Sequence, residues 1–315
     1  MEISIIIPVY NKAEYISHCF ESLLAQDFES FEVVAVDDGS TDGSGDLCDE
    51  AAREGSRIAN PSEPRIRVIH TENGGVTAAR RRGVEAAEGR YIIFVDADDE
   101  LLPDALKTLY QTITTHEADE VIATFCTQDG IHSPIVHQGW QRDTDSMLRA
   151  VVTGKNRFPI LWGIIFRKEI LDGCLDTPRE IIEGEDLLMQ AKVLMKQPRV
   201  WFISDCVYRY QLGLPNSRKH TLERARLYDQ QLKETLAPRW DDMQSAFVLH
   251  QLKECERFII EGQSEVKDRY YRQAIRELPE DIPLYNRIVW ALPRAIAAHL
   301  IRFYRTIIRM KQHKL

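Results

Sequence analysis

Short apolar runs alternate with segments of helical periodicity through the first 115 residues of the chain. The apolar runs are rich in β-branched residues and predict four strands, at residues 3–9, 31–36, 66–69 and 91–95. The other segments carry apolar residues at helical spacing and predict helices, at residues 15–26, 47–54, 76–87 and 103–115. Because strands and helices alternate, the sequence predicts an α/β, Rossmann-like fold with a mostly parallel sheet flanked by helices.

The pattern changes further along the chain. Between residues 120 and 218, weaker strand signals at 121–125 and 200–203 are mixed with loops and with a helix that begins near Gly184. Beyond Thr221 the sequence predicts only helices, at residues 222–236, 241–261, 265–278 and 284–311, with breaks at Pro238, Pro279, Pro283 and Pro293. We therefore predict two domains, an α/β domain over residues 1–218 and a C-terminal all-helical region over residues 219–315.

A cluster of carboxylates ends the fourth predicted strand. Asp96 and Asp98 are two residues apart, so in extended chain their side chains share one face while Asp99 points away. Two carboxylates aimed at one point need a cation, and Mg²⁺ or Mn²⁺ commonly joins one or two carboxylates to substrate phosphates. The alternative is a strand-to-helix turn in which Asp98 or Asp99 caps the next helix. This stretch alone leaves both interpretations open.

Polar residues follow all four of the first predicted strands. In a parallel sheet the carboxyl ends of the strands lie at one edge, and ligands bind in the crevice beyond that edge. One nucleotide would explain these polar clusters together, whereas local capping would have to explain each of them separately. The residues concerned are Tyr10, Asn11, Asp37, Asp38, Asn73 and Asp96 to Asp98.

Composition narrows the functional classes. A formal net charge of -9 argues against bulk nucleic-acid binding, and six cysteines without a CxxC pair are typical of reduced thiols in the cytoplasm. The N-terminus does not resemble a signal peptide, and no stretch is long and uncharged enough to span a bilayer. Neither GxGxxG nor GxxxxGK[ST] follows the first strand, which disfavours NAD enzymes and P-loop NTPases. We expect a cytoplasmic protein.

The end of the chain is basic and amphipathic. From Arg294 to Leu315 there are six Lys or Arg residues and no Asp or Glu. Such a helix can lie on the inner face of the cytoplasmic membrane, where lipid-linked acceptors are found, or it can pack on the preceding helices or on a second copy in a homo-oligomer. Its apolar face would carry Ile296, Leu300, Phe303 and Ile307, and its basic face Arg302, Arg305 and Arg309.

Five segments in order resemble the motifs of the family 2 glycosyltransferases: IIPVYN at 6–11, DDGSTDGS at 37–44, NGGVTAAR at 73–80, FVDADD at 94–99 and GED at 184–186. The resemblance is close over residues 3 to about 115 and looser from about 157 to 217, and it does not extend into the helical tail. It implies the GT-A fold, a nucleotide-sugar donor (most often a UDP-sugar), Mn²⁺ or Mg²⁺ as cofactor, and inversion at the anomeric carbon.

The resemblance also implies a nucleotide-binding set. Asp38 matches the family's contact to the base, and Asn73 and Arg80 match positions that border the nucleotide and the donor sugar. Two departures concern the donor sugar: Arg81 stands where an Asn is common, and Ile164 or Ile165 stands where a Lys is common. The full set is Pro8, Tyr10, Asn11, Asp38, Asn73 and Arg80.

Metal and base residues follow from the same resemblance. Asp96, Ala97 and Asp98 match the DxD motif, with Asp96 near the ribose and the metal and Asp98 ligating the metal. Asp186 matches the catalytic base, with Glu185 beside it. Without the upstream motifs, these two acids would be interpreted as side chains that complement a helix N-terminus.

The sequence thus predicts a metal-dependent inverting glycosyltransferase that acts on a glycan or lipid-linked acceptor, in the synthesis of a surface polysaccharide. One alternative is a sugar-1-phosphate nucleotidyltransferase, which would want a Gly-rich, basic phosphate loop after the first strand. The other is a non-catalytic nucleotide-sugar-binding protein, which would be expected if the acids were lost.

Two features keep both a functional and a structural interpretation. Trp162 can stack on an acceptor sugar or belong to the core. Cations within residues 209–220 can close over a diphosphate as a lid does, or they can form a basic surface loop.

Overall fold

The computed structural model describes residues 1–58, 66–127, 130–132, 139–141, 143–155, 158, 160–212, 221–262 and 270–312. The chain divides into two compact units, one of residues 1–148 with 156–219 and the other of residues 149–155 with 220–315. The predicted boundary between residues 218 and 219 lies outside the described residues. The assignment of separate functions to the two parts therefore stays a prediction.

The strands of the described chain form one mixed sheet in the first unit. They are β1 (Ile3–Val9), β2 (Phe31–Asp37), β3 (Ile66–His70), β4 (Tyr91–Phe94), β5 (Glu100–Leu101), β6 (Glu120–Thr127), β7 (Gly130–His132), β8 (Gly139–Gln141), β9 (Ile164–Arg167) and β10 (Val200–Arg209). Their order is β3-β2-β1-β4-β9-β6-β10-β5, with β7 beside β6 and β8 beside β10. The strands β3, β2, β1 and β4 run parallel, whereas β9 is antiparallel to both of its neighbours.

Helices follow the strands as predicted. In chain order the described helices are α1 (Ile16–Leu24), α2 (Ser44–Ile58), α3 (Val76–Ala86), α4 (Ala105–Thr115), α5 (Thr144–Val152), α6 (Glu185–Met195), α7 (Leu222–Leu236), α8 (Trp240–Ile260), α9 (Arg272–Ala274), α10 (Leu284–Ala291) and α11 (Arg294–Gln312). The predicted fold class, a mostly parallel sheet flanked by helices with a C-terminal helical region, is confirmed.

The central strand β1 is covered on both faces, which is why its residues are apolar without alternation. Ile3, Ile5 and Ile7 belong to the same buried cluster as residues of α1 and α4. On the other face α3 approaches so closely that a Cβ atom on Gly83 would lie 2.3 Å from Cγ2 of Ile6. This close approach fixes the position of α3, the helix that carries Arg80.

Strand β10 is longer than the predicted strand at residues 200–203. Its pairing with β6 shifts register between Phe202 and Cys206 and again between Cys206 and Tyr208. Because Ser204 and Asp205 are exposed, their polarity hides the continuation of the strand in the sequence. The part of β10 that was not predicted carries Tyr208, whose side chain is fully buried in the core.

The predicted helix over residues 265–278 is confirmed only in part where the chain is described, since residues 270–274 are helical and residues 275–278 are not. The α-helix there is limited to Arg272–Ala274, and Ile275 leaves helical conformation with φ -105° and ψ 89°. Tyr271 and Ile275 are both buried in the core of the second unit. The helix therefore ends at the residue before Ile275, whose side chain is buried in that core.

A buried acid anchors α6, the helix that begins at Glu185. Glu120, at the start of β6, is fully buried, and the Nε2 of Gln190 on α6 donates a 2.7 Å hydrogen bond to its Oε1. Within the described residues, Oε2 of Glu120 and Oε1 of Gln190 are buried without a hydrogen-bond partner. A proton on Oε2 would supply the missing donor. Burial raises the pKa of Glu120 to about 8, so the protonated form prevails at neutral pH.

We expect this group to make the protein less stable as the pH rises from about 5 to about 8. In that range the folded chain holds a proton on Glu120 that the unfolded chain releases, so this group contributes a slope of up to about -1.4 kcal/mol per pH unit. Glu120→Gln should remove this slope, because an amide does not ionise. Denaturant unfolding at a series of pH values measures the difference. Equal slopes of unfolding free energy against pH for Glu120→Gln and the unaltered protein would contradict the raised pKa of Glu120.

Candidate active site

The loop after β1 is fastened to the loop after β2. Asn11 has a left-handed backbone with φ 51°, which Asn tolerates better than most residues. Its backbone N–H donates to Oγ of Ser40 at 3.1 Å, and its Oδ1 accepts from the N–H of Thr41 at 2.9 Å. The predicted nucleotide residue Asn11 therefore also shapes the site.

Asp38 fastens the loop after β2 to the loop that precedes α3. Its carboxylate is 3% exposed and accepts hydrogen bonds from the backbone N–H groups of Gly74 at 2.8 Å and Gly75 at 2.7 Å. The two loops approach so closely that a Cβ atom on Gly39 would lie 3.0 Å from the backbone nitrogen of Asn73. The predicted contact of Asp38 with a base stays a prediction, and the structure adds a positioning role.

Other predicted nucleotide residues lie along the same edge of the sheet. Pro8 is half-buried in β1, while the Tyr10 side chain just beyond it is 49% exposed and presents an aromatic ring to solvent. Asp37 at the end of β2 is buried, and its carboxylate accepts from the N–H of Ser40 at 3.0 Å and pairs with His70 at 2.9 Å. Tyr10 is thus the residue of this group most open to a ligand.

Asn73 has a partner that sequence reasoning missed. The exposed Arg179 donates from Nη1 to the backbone oxygen of Asn73 at 3.0 Å and from Nη2 to its Oδ1 at 3.3 Å. The two residues are 106 positions apart, and no pattern in the sequence relates them. Arg179 therefore adds a positive charge beside the predicted nucleotide site.

Each carboxylate of the DxD segment has its own cation. Oδ1 of Asp96 lies 3.0 Å from Nη2 of Arg80, and Asp98 forms an ion pair with the ammonium of Lys12. Ala97 between them is buried. Sequence reasoning missed Lys12, because no spacing along the chain relates it to Asp98, 86 positions away.

Asp99 points away from its neighbours, into the core. Tyr208 donates from its hydroxyl to Oδ2 of Asp99 at 2.7 Å and accepts from the N–H of Asp96 at 3.2 Å. Burial, together with the negative charge of Asp96, raises the pKa of Asp99 to about 8. Asp104 occupies the N-cap of α4, so the alternative in which Asp98 or Asp99 caps that helix is wrong.

Arg80 joins this acidic segment to the predicted base. Its side chain is 6% exposed, and Nη1 lies 3.9 Å from Oε1 of Glu185, which is also buried. Asp186 is the next residue, and burial raises its pKa although the Arg80 guanidinium opposes that rise. The Arg80 guanidinium already pairs with two carboxylates. Its direct contact with a donor stays a prediction. Glu185 acts in this structure as a partner of Arg80.

The chemistry of the DxD residues fits a divalent cation. Asp96 and Asp98 offer carboxylate oxygens, and Mg²⁺ is usually bound through one or two carboxylates plus substrate phosphates and water. Among the described residues, no group of three or more His, Cys, Asp or Glu side chains is arranged to hold a metal ion. The site therefore fits a cation that arrives with a phosphate ligand better than a metal held by the protein alone.

Three predicted features remain: Trp162, the departures from the family pattern at residues 164 and 165, and the basic loop. Trp162 is partly buried and packs face to face on Tyr210, with ring centroids 5.0 Å apart. Ile164 and Ile165, the departures from the family pattern, are fully buried in β9. Most of the predicted basic loop, residues 213–220, lies outside the described residues, and stacking of Trp162 on an acceptor stays a prediction.

Comparison with known proteins identifies the family. The sequence matches the family model "Glycosyl transferase family 2" over residues 4–175, which is more than half of the chain. The chain belongs to glycosyl transferase family 2. Asp186 and Glu185 lie beyond the matched range, so the assignment of the base rests on the GED motif and on the contacts of Arg80.

Two curated relatives from Streptococcus pneumoniae illustrate the extent of the match. The glycosyltransferase GlyG is 38% identical over 128 residues, which is 40% of this chain and 40% of the relative. The glycosyltransferase GlyA is 28% identical over 234 residues, which is 71% of this chain and 32% of the relative. The alignments thus span less than half of either relative.

A solved structure shares the fold over nearly the whole chain. The crystal structure of S. aureus TarS 1-349 in complex with UDP-GlcNAc has a TM-score of 0.62 and 22% sequence identity, and it covers 97% of this chain and 92% of that one. This similarity confirms the GT-A fold that the sequence motifs implied.

Proposed function

We propose that this chain transfers a sugar from a nucleotide-sugar, preferably a UDP-sugar, to an acceptor hydroxyl with inversion at the anomeric carbon. The observation that carries the proposal is the position of Arg80, whose guanidinium pairs with Asp96 on one side and Glu185 on the other. This bridge gathers the DxD segment and the candidate base Asp186 into one cluster. Family membership supports the reaction class, and the UDP-GlcNAc bound to TarS supports the donor class.

The nucleoside would bind at the edge formed by the first three loops. Tyr10 offers an exposed ring for stacking, and Asp38 and Asn73 lie in loops that are fastened to each other. Because these loops are held by hydrogen bonds before any ligand arrives, binding would require little further ordering of the backbone.

The leaving diphosphate would lie near Asp96 and Asp98. A divalent cation held by these two carboxylates would supply Lewis-acid stabilisation of the departing charge. Arg80 fixes the Asp96 side chain, and the hydroxyl of Tyr208 accepts from the backbone N–H of the same residue. The chain thus holds Asp96 from both its side chain and its backbone.

Asp186 is the proposed base. An inverting transfer needs a group that takes the proton of the acceptor hydroxyl as its oxygen attacks the anomeric carbon. Its Oδ1 accepts a 2.8 Å hydrogen bond from the N–H of Leu187, which orients the carboxylate at the start of α6. Burial raises the pKa of Asp186 and so increases its tendency to hold a proton.

A screen of nucleotide-sugars tests the reaction class. The full chain is incubated with each UDP-, GDP- and dTDP-sugar and Mn²⁺, and release of the nucleoside diphosphate is measured with and without EDTA. We expect one donor to be hydrolysed slowly in the absence of acceptor, and we expect EDTA to stop this release. Tight binding without release from any donor would instead favour the non-catalytic alternative. Release of pyrophosphate from a nucleoside triphosphate plus a sugar phosphate would favour the nucleotidyltransferase.

The acceptor is proposed to be a surface glycan or its lipid-linked precursor. TarS is a poly(ribitol-phosphate) beta-N-acetylglucosaminyltransferase by name and shares this fold. Polymers of this type carry the free hydroxyl groups that such a reaction needs.

The C-terminal helices offer a surface for an anionic membrane. In the described chain no helix is both long and apolar enough to cross a bilayer. Helix α11 buries Ala297 and Ile301, yet Ile296 and Phe303 on the same helix are 54% and 65% exposed. Arg302 and Arg305 are exposed beside them. We propose that this surface lies against the headgroups of the inner leaflet, with a second copy of the chain as the competing partner.

Phe303→Glu is expected to reduce binding to vesicles that contain phosphatidylglycerol by more than about tenfold, because it removes apolar contact and adds a repelled charge. Vesicle flotation measures the change. His299→Glu places the same charge at an exposed polar position of α11 and should have a smaller effect. If Phe303→Glu instead abolished a dimer on size-exclusion chromatography and left vesicle binding intact, the result would favour a second copy of the chain as the partner of this surface.

A further inference from the structure

Lys12 has a firmly held backbone and a long side chain that reaches the DxD segment. It lies three residues beyond β1, and its N–H donates to Oγ of Ser44 at 2.7 Å. The next N–H, that of Ala13, donates to Oδ2 of Asp42 at 3.0 Å. The ammonium of Lys12 pairs with Oδ2 of Asp98, 86 positions away, and the two side chains are 31% and 15% exposed. Only the side chain of Lys12 is therefore free to change partner.

This ion pair conflicts with the role proposed for Asp98. A divalent cation on the Asp98 carboxylate would lie within a few ångströms of the Lys12 ammonium, where two positive charges repel each other strongly. With only 15% of the Asp98 side chain exposed, the carboxylate has little open surface to offer both cations at once. A metal ion that binds Oδ2 of Asp98, the oxygen paired with Lys12, would displace the ammonium.

We propose that Lys12 is a counter-ion that changes partner between Asp98 and the donor. In the nucleotide-free protein its ammonium neutralises Asp98 and competes with the metal. When a nucleotide-sugar brings a metal ion and a diphosphate, the metal takes Asp98 and the Lys12 ammonium pairs with the diphosphate. The proposal rests on the proposed function, since it assigns a further binding residue to the same site.

The charges around the site favour this exchange only when a diphosphate is present. Asp96 is already paired with Arg80, and Arg80 is buried between two carboxylates and cannot take over a new anion easily. Lys12 is the more exposed of the two cations and carries a flexible four-carbon stem. A diphosphate adds negative charge next to the DxD segment, which gives the displaced ammonium a new partner. Without that diphosphate, displacement of Lys12 leaves its charge beside the metal.

The expected consequence is that metal and nucleotide bind as a pair. The nucleotide-free protein should bind Mn²⁺ weakly, because Lys12 occupies the carboxylate that the metal needs. A Lys12 that only neutralised Asp98 for stability would have no effect on a bound diphosphate. When the ammonium is removed, the counter-ion role therefore predicts weaker binding of the diphosphate, whereas a purely stabilising role predicts no change in that binding.

Lys12→Met tests this in the full chain, because Met keeps the length of the side chain and removes its charge. Free Mn²⁺, followed by electron paramagnetic resonance, reports metal binding without nucleotide, and calorimetry with UDP at saturating Mn²⁺ reports diphosphate binding. We expect Mn²⁺ alone to bind about tenfold more tightly and UDP about tenfold more weakly than in the unaltered protein. Uridine, which lacks phosphates, should bind the two proteins equally.

The control is Lys107→Met. Lys107 pairs with Asp27 at 3.7 Å on the surface of the same unit, so its loss should change neither affinity. Equal affinities for Lys12→Met and the unaltered protein, or two shifts in the same direction, would overturn the proposal while the proposed function stands. Absence of binding of UDP, GDP and dTDP to the unaltered protein at any Mn²⁺ concentration would overturn both.

Discussion

Replacement of Asp98 by alanine is expected to lower kcat/KM for the nucleotide-sugar by at least about a thousandfold, a loss of about 4 kcal/mol of transition-state stabilisation. The carboxylate removed is the one proposed to hold the metal against the leaving diphosphate. Added Mn²⁺ should not restore the activity. Initial rates of nucleoside diphosphate release, measured across a range of Mn²⁺ concentrations, give the comparison.

Asp104→Ala is the matched control for Asp98. Asp104 is an exposed aspartate only six residues away, and its side chain makes no capping hydrogen bond to α4. We expect it to keep nearly full activity. Asp98→Ala should also melt close to the unaltered protein, since its only partner in the described structure is the partly exposed Lys12. Full activity of Asp98→Ala would remove the metal from the mechanism.

Asp186→Asn is expected to lower kcat by about a thousandfold, within the range of about 10² to 10⁴ for loss of a general base, and to leave donor KM nearly unchanged. An amide has the same shape and can still accept the hydrogen bond from the N–H of Leu187. The structure should therefore be retained while the proton acceptor is lost. Single-turnover transfer to an acceptor separates this effect from donor binding.

The pH profile gives a second measure of Asp186. Because burial raises its pKa, the acid limb of kcat/KM should lie above the ordinary aspartate value of about 4. Activity is lost as the pH falls through this raised pKa, since the base is then protonated. The limb should vanish from the residual activity of Asp186→Asn and persist in Glu180→Gln, which alters an exposed acid in the preceding loop. An unchanged limb in Asp186→Asn would assign the base to another residue.

The order of strands and helices in the first 115 residues could be predicted from the sequence because periodicity and turn chemistry are local properties. β1 and β3 differ from prediction by one residue or less, and the loop residues at their carboxyl ends lie where a parallel sheet places them. The five motifs were sufficient to predict the family for the same reason, since each is a short run of neighbouring residues.

Prediction failed where a distant contact overrides the local pattern. Strand β10 continues through the exposed Ser204 and Asp205 because its far half pairs with β5 and β6. Its continuation places the Tyr208 hydroxyl on Asp96 and Asp99, which lie more than 100 positions earlier. No periodicity in the sequence of β10 predicts that contact.

The sequence by itself therefore determined the family, the fold class and the acids at the strand ends. Only the tertiary structure decided which cation neutralises which acid: Lys12 with Asp98, and Arg80 with both Asp96 and Glu185. Opposite charges attract through space and carry no spacing rule along the chain, so these partners become visible only after folding brings them together.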